Sequence, residues 1–127
     1  MRIWVKGKPT VITIDDRIPY GTTTPLFLRA YTDSAYWPLF AEKMFAKIMV
    51  NYEMIGWGWM AEALQVFTGA PTVMLTGKSF SLADMWTALS DSDQQNYVMT
   101  GACMSGYQGL IGGHAYSVIG VKNIVDA

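Results

Sequence analysis

One thiol and one imidazole are all this chain carries, at Cys103 and His114. A lone cysteine excludes an internal disulfide, so no covalent staple holds the fold, and a reducing, cytoplasmic setting is expected. Charge is sparse too, with 9 Lys and Arg against 10 Asp and Glu and a net charge of −1. No basic cluster joins an aromatic platform, which argues against nucleic acid as a partner. From Asn96 to Val121 there is no formal charge at all. That stretch is rich in glycine, carries Gln108 and His114 and alternates with period two, so paired strands are expected and no transmembrane segment. No signal peptide is expected either, because the amino terminus enters a hairpin pattern directly. Internal repeats and low-complexity segments are absent. What is plentiful is apolar: 51% of the 127 residues are hydrophobic and 13% aromatic, which argues against disorder. This is one domain's worth of chain, or a piece of a larger domain. Most of the nine methionines fall in segments that read as helices, where they fill core gaps rather than line a groove.

In chain order, Arg2–Val5 and Thr10–Ile14 flank Lys6-Gly7-Lys8-Pro9 and predict a β-hairpin. Asp15 and Asp16 follow. Neighbours in a strand point to opposite faces, so these two carboxylates do not share an ion, and pairing with Arg17 or the turn backbone is expected instead. After a Gly/Thr loop, Leu26-Phe27-Leu28 reads as a short strand. The strongest helix comes next: Asp33 or Ser34 as cap, Pro38 in the first turn, and Phe40, Met44 and Ile48 on one face. Trp37, Ala41 and Phe45 widen that face, and Lys43 and Lys47 are expected towards water. Gly56-Trp57-Gly58-Trp59 precedes a second helix, Met60–Phe67, stopped at Gly69. The two tryptophans either pack or line a groove.

Thr68-Gly69-Ala70-Pro71 punctuates the chain and marks an expected boundary between residues 1–69 and 70–127. Beyond it the pattern predicts a short strand at Thr72–Leu75, a capping box at Ser81–Asp84 opening a helix through Leu89, and a polar turn over Asp91–Asn96. A strand at Val98–Met104 and a glycine-rich link from Ser105 lead to Gly112-Gly113-His114-Ala115-Tyr116-Ser117-Val118-Ile119. In that last strand His114, Tyr116 and Val118 share one face. An imidazole at a strand entrance beside glycines suits either a hydrogen-bonded structural role or a group that meets a partner across a cleft.

Thr13-Ile14-Asp15-Asp16-Arg17-Ile18-Pro19, Trp37 with Glu42-Lys43-Met44-Phe45-Ala46-Lys47, Asn51-Tyr52-Glu53, Phe67-Thr68-Gly69 and Gly113-His114-Ala115-Tyr116-Ser117-Val118 follow one another over nearly the whole chain. In that order and spacing they resemble the catalytic core of the calpain family, intracellular cysteine proteases with a papain-like fold. The resemblance implies an α+β architecture, with residues 1–69 from the end of a helical subdomain and 70–127 from the start of an antiparallel β subdomain. It implies that His114 is the catalytic histidine, which stabilises a cysteine thiolate and protonates the leaving amine while an asparagine orients the ring. It also implies that Gly58 and Gly113 hold substrate backbone on either side of the groove, where the lack of a side chain admits main-chain hydrogen bonds.

Departures from the family pattern shape the expectation. The family's nucleophile lies upstream of the Asp-Asp-Arg strand at a helix start, and this chain is expected to begin after it. Cys103, in an apolar strand pattern with no following helix, is no substitute. The orienting asparagine, followed in the family by proline and tryptophan, is expected beyond Ala127; Asn123 precedes Ile124-Val125 and does not match. The family would allow calcium in the parent protein, but Ala35 occupies the one acidic ligand position in this span and a methyl cannot ligate it; Asp33 would compensate only with a loop shift. Trp57 replaces a small groove residue and reshapes the subsites. The expectation is therefore an internal fragment of a calpain-like endopeptidase, with no cofactor and no metal site of its own, inactive alone and prone to associate through uncovered strand edges and apolar faces. Its partners are a protein or peptide substrate and the missing parts of the same core. The alternatives are a non-catalytic calpain-like peptide-binding or scaffold protein, favoured by Ala35 and Trp57, and a self-contained small binding domain.

Overall fold

The computed structural model describes residues 1–30 and 35–124. The architecture is α+β, with three α-helices and two separate two-stranded antiparallel sheets among the described residues. The chain divides into two compact units, Met1–Thr72 and Val73–Ala127. No helix among the described residues is long and apolar enough to cross a membrane.

The first unit opens with β1 (Arg2–Val5) and β2 (Lys8–Val11). Lys6 and Gly7, at φ 49° and 74°, make a two-residue turn whose twist matches that of the strands. The second strand therefore begins two residues earlier than the sequence pattern predicts and ends at Val11 rather than Ile14. It takes in Pro9, opposite Trp4. Met1 and Ile12 exchange both backbone hydrogen bonds, at 2.8 and 2.9 Å, so bonded pairs alternate from there and Pro9 falls at a non-bonded position. Its missing N–H is not needed there.

Leu26-Phe27-Leu28 is not a strand. Tyr20 bridges Pro25, the Gly21 N–H donates to the Thr24 carbonyl (2.8 Å) and the Leu26 N–H to that of Pro19 (2.9 Å), which closes the segment on itself. Phe27 then stacks on Tyr52, with ring centroids 4.6 Å apart.

Helix α1 (Trp37–Ile48) has proline in its first turn. The expected caps Asp33 and Ser34 lie outside the described residues; Tyr36 holds the cap position without a side-chain bond. Leu39, Ala41, Met44 and Ala46 of α1 are buried with Ile3 of β1, and these five are the buried apolar residues among those described. The expected stripe is thus centred on Met44, with Phe40, Phe45 and Ile48 half-buried at its margin and Trp37 exposed.

Lys43 and Lys47 do not point simply to water. The Lys43 ammonium bonds the Asp15 carboxylate and the Arg17 carbonyl, and Lys47 donates to the Thr13 carbonyl at 2.6 Å. Their heads tie down the segment that follows β2. Asp15 also accepts the Arg17 N–H at 2.8 Å, the turn pairing expected of it. The Lys43 ammonium and the Arg17 N–H hold the Asp15 carboxyl below its usual range. Glu42 accepts the Leu28 N–H at 3.1 and 3.2 Å, and its partial burial pushes its carboxyl up.

Helix α2 (Met60–Thr68) packs against β1 and stops at Gly69, whose φ of 71° and N–H bond to the Gln65 carbonyl (2.8 Å) close the last turn. The Trp4 ring covers that glycine so closely that a Cβ there would meet it at 2.3 Å.

Thr72–Leu75, expected as a short strand, is not one and pairs with no strand among the described residues. Helix α3 (Leu82–Gln94) opens as the sequence predicts: Ser81 Oγ accepts the Asp84 N–H at 3.1 Å and donates to the Asp84 carboxylate at 2.6 Å. It runs on past Leu89 through the expected polar turn. Those polar residues find partners within the helix and beyond it: Ser92 Oγ donates to the Ala88 carbonyl (2.7 Å), and the Asp93 carboxylate accepts the N–H of Val121, after β4 (3.1 Å). Strands β3 (Met99–Cys103) and β4 (His114–Val118) pair in the register Met99↔Val118 to Cys103↔His114.

Candidate active site around His114

His114 is the first residue of β4, and the local geometry explains why two glycines precede it. Gly112 lies against the backbone of Ser105 and Gly106, and a Cβ there would come within 2.6 Å of the Gly106 nitrogen. The glycine-rich link is therefore folded on itself. Its tip, Tyr107–Leu110, exchanges backbone bonds of 2.9 and 3.1 Å around Gln108 and Gly109, both at positive φ.

Gly113, at φ 66°, donates its N–H to the Cys103 carbonyl at 2.8 Å, although Cys103 already faces His114 in the ladder. Two residues against one make a β-bulge with glycine in its left-handed position. The bulge bends the strand at the point where the imidazole emerges. A Cβ on Gly113 would meet nothing within 4 Å, so the space before it is open.

The face of the sheet that carries His114 also carries Tyr116 and Val118, with Met99, Gly101 and Cys103 opposite them. His114 is exposed, and the Tyr116 ring packs against it edge-on, 5.0 Å between centroids and 80° between planes. Sequence reasoning placed His114 and Tyr116 on one face but missed Cys103, whose position opposite His114 depends on strand register. The thiol is half-buried and donates to the Ile111 carbonyl at 3.2 Å. Cys103 ends β3 and does not stand at a helix start.

Gly58 belongs to the other unit. Nothing lies within 4 Å of a Cβ placed on it either. Trp57 and Trp59 beside it are 85% and 61% exposed, so they do not pack as core residues. With Phe45, Met49, Met54 and Met60 they line a concavity of about 150 Å³. Among the described residues no three His, Cys, Asp or Glu side chains are grouped to hold a metal ion. The Ala35 side chain, half-buried and apolar, carries no oxygen for calcium, and Asp33 lies outside the described residues.

An α+β chain with an exposed histidine at a glycine bulge is consistent with a papain-like protease core. The family model described as calpain family cysteine protease matches residues 1–127. Calpain clp-1 of Caenorhabditis elegans is 29% identical over 137 residues, covering 98% of this chain and 17% of its own length. Calpain-12 of Homo sapiens is 27% identical over 129 residues, covering 97% and 18%. Calpain-A of Drosophila melanogaster is 29% identical over 127 residues, covering 92% and 15%. The chain belongs to the calpain family of cysteine proteases. It spans less than a fifth of the length of these relatives.

Proposed function

We propose that this chain is an internal piece of a calpain-like, intracellular cysteine endopeptidase, with His114 as its catalytic imidazole and Gly58 and Gly113 as contacts for the substrate backbone. The observation that carries the reading is the exposed imidazole set directly after a left-handed glycine whose front is open. An extended peptide laid across Gly113 would bring its carbonyl beside the ring without meeting a side chain. In that role Nδ1 or Nε2 stabilises a thiolate and then passes a proton to the leaving amine.

The thiol comes from another part of the parent polypeptide, because Cys103 is tied to Ile111 and lies away from any helix start. Residues 1–69 form the end of the helical subdomain and 70–127 the start of the β-rich one. The substrate is a protein or peptide, and the exposed apolar residues Trp37, Val73, Leu82 and Ile119 face missing parts of the same core. Calcium plays no part at Ala35.

The test uses the parent protein, expressed from the complete transcript, with a denatured protein substrate. His114→Ala should lower kcat by about 10²–10⁴-fold, the usual contribution of a positioned acid–base group. The purified 127-residue chain should be inactive. Unchanged cleavage by the variant, or histidine-dependent cleavage by the chain alone, overturns the reading. A second reading, a non-catalytic peptide-binding protein, is favoured by the exposed Trp57 and Trp59 beside Gly58. It requires peptide binding with no cleavage by the unaltered parent.

A further inference from the structure

We infer that Tyr116 is a positioning residue for His114, fixing the imidazole with its ring and the approach to it with its hydroxyl. The inference rests on the reading of His114 as the catalytic group. Two contacts from one side chain support it. The Tyr116 ring meets the imidazole edge-on at 5.0 Å, which restricts the ring rotation of an otherwise exposed side chain. The Tyr116 hydroxyl accepts the Ile111 N–H at 2.7 Å.

Ile111 is where that tether matters. It is the last residue before Gly112 and Gly113, and its carbonyl accepts the Cys103 thiol. Both polar backbone groups of Ile111 are thus held by side chains from the face of the sheet that carries His114. Left free, a link with glycines at 106, 109, 112 and 113 would sample many backbone states, and the bulge that aims His114 would move with it. Holding Ile111 at both ends confines that motion to the two glycines beside the imidazole. Catalysis by a thiolate and an imidazole is sensitive to displacements of about 1 Å, so a device that removes both ring and loop freedom acts on kcat more than on substrate affinity.

The side chain separates into two parts that can be removed in turn. Tyr116→Phe keeps the ring and loses the hydroxyl; Tyr116→Leu loses both. His114 is the only histidine of these 127 residues, so its Hε1 and Hδ2 signals are identified in the 127-residue chain without ambiguity. Expected in Tyr116→Phe are an unchanged ring-current displacement of the His114 signals and faster hydrogen exchange at the Ile111 amide. Expected in Tyr116→Leu is loss of the ring-current displacement as well. His114 signals unmoved in Tyr116→Leu, or an Ile111 amide unchanged in Tyr116→Phe, overturn the inference. Collapse of the β3–β4 pairing in both variants overturns it too, since Tyr116 would then be a packing residue. Neither signal depends on peptide hydrolysis, so failure of the protease reading leaves the two contacts measurable and is distinguished by the His114→Ala activity result.

Discussion

Gly69 and Gly113 have nearly the same left-handed backbone, φ 71° and 66°, and opposite surroundings. At Gly69 the missing side chain is filled by the Trp4 ring; at Gly113 it is left as open space. The two units differ in the same sense. Met1–Thr72 contains all five buried apolar residues among those described. In Val73–Ala127 the described residues are ordered by polar ties: the Ser81 cap, the Asp93–Val121 bond, the β3–β4 ladder and the Tyr116–Ile111 bond. The first arrangement uses glycine to let protein approach protein. The second leaves the space in front of the glycine open.

The largest effect that sharpens this contrast is in the core. Met44 is fully buried, so Met44→Ala should lower urea-measured stability by about 2–5 kcal/mol, from lost transfer energy and a residual cavity. A loss no larger than that of an exposed-site control such as Met104→Ala would mean that the α1–β1 core does not organise the first unit.

The glycine pair itself comes next. Gly113→Ala should cost only the left-handed strain, about 1–2 kcal/mol, whereas Gly69→Ala adds displacement of the Trp4 ring. Equal losses in thermal unfolding would break the comparison. On the proposed role of Gly113 as a substrate contact, Gly113→Ala in the parent polypeptide should also raise the KM for peptide cleavage, and Gly69→Ala should not.

The smallest effect is electrostatic. The folded carboxyl of Asp15 titrates below its ordinary range because of the Lys43 ammonium, so the stabilisation is complete above the unfolded aspartate range and is lost as pH falls through the folded value. Asp15→Asn should flatten part of the acid side of the Tm-against-pH profile. Asp15 is well exposed, so the difference should shrink in high salt. An acid profile identical to that of the unaltered chain would remove Lys43–Asp15 as a tie.

Local chemistry was legible wherever neighbours along the chain decide it. The Ser81–Asp84 cap, the stop at Gly69 and the His114–Tyr116–Val118 face all follow from offsets of one to four residues, and the structure has each of them. Leu26–Leu28 misled because an apolar run marks a strand only if a partner strand exists, and here the loop bonds close on themselves. The polar residues Asp91–Gln94 misled because composition alone does not reveal that the Asp93 carboxylate has a partner 28 residues away at Val121.

The sequence by itself determined the family, the α+β class and the place of the histidine at a strand entrance, because these rest on the order of residue types along one chain. Only the tertiary structure decided that Cys103 stands across from His114, that Lys43 and Lys47 tie down the segment after β2, and that Gly69 is filled while Gly113 is open. Strand register and the closeness of a remote ring depend on how distant segments pack, and residue order sets no distance between them.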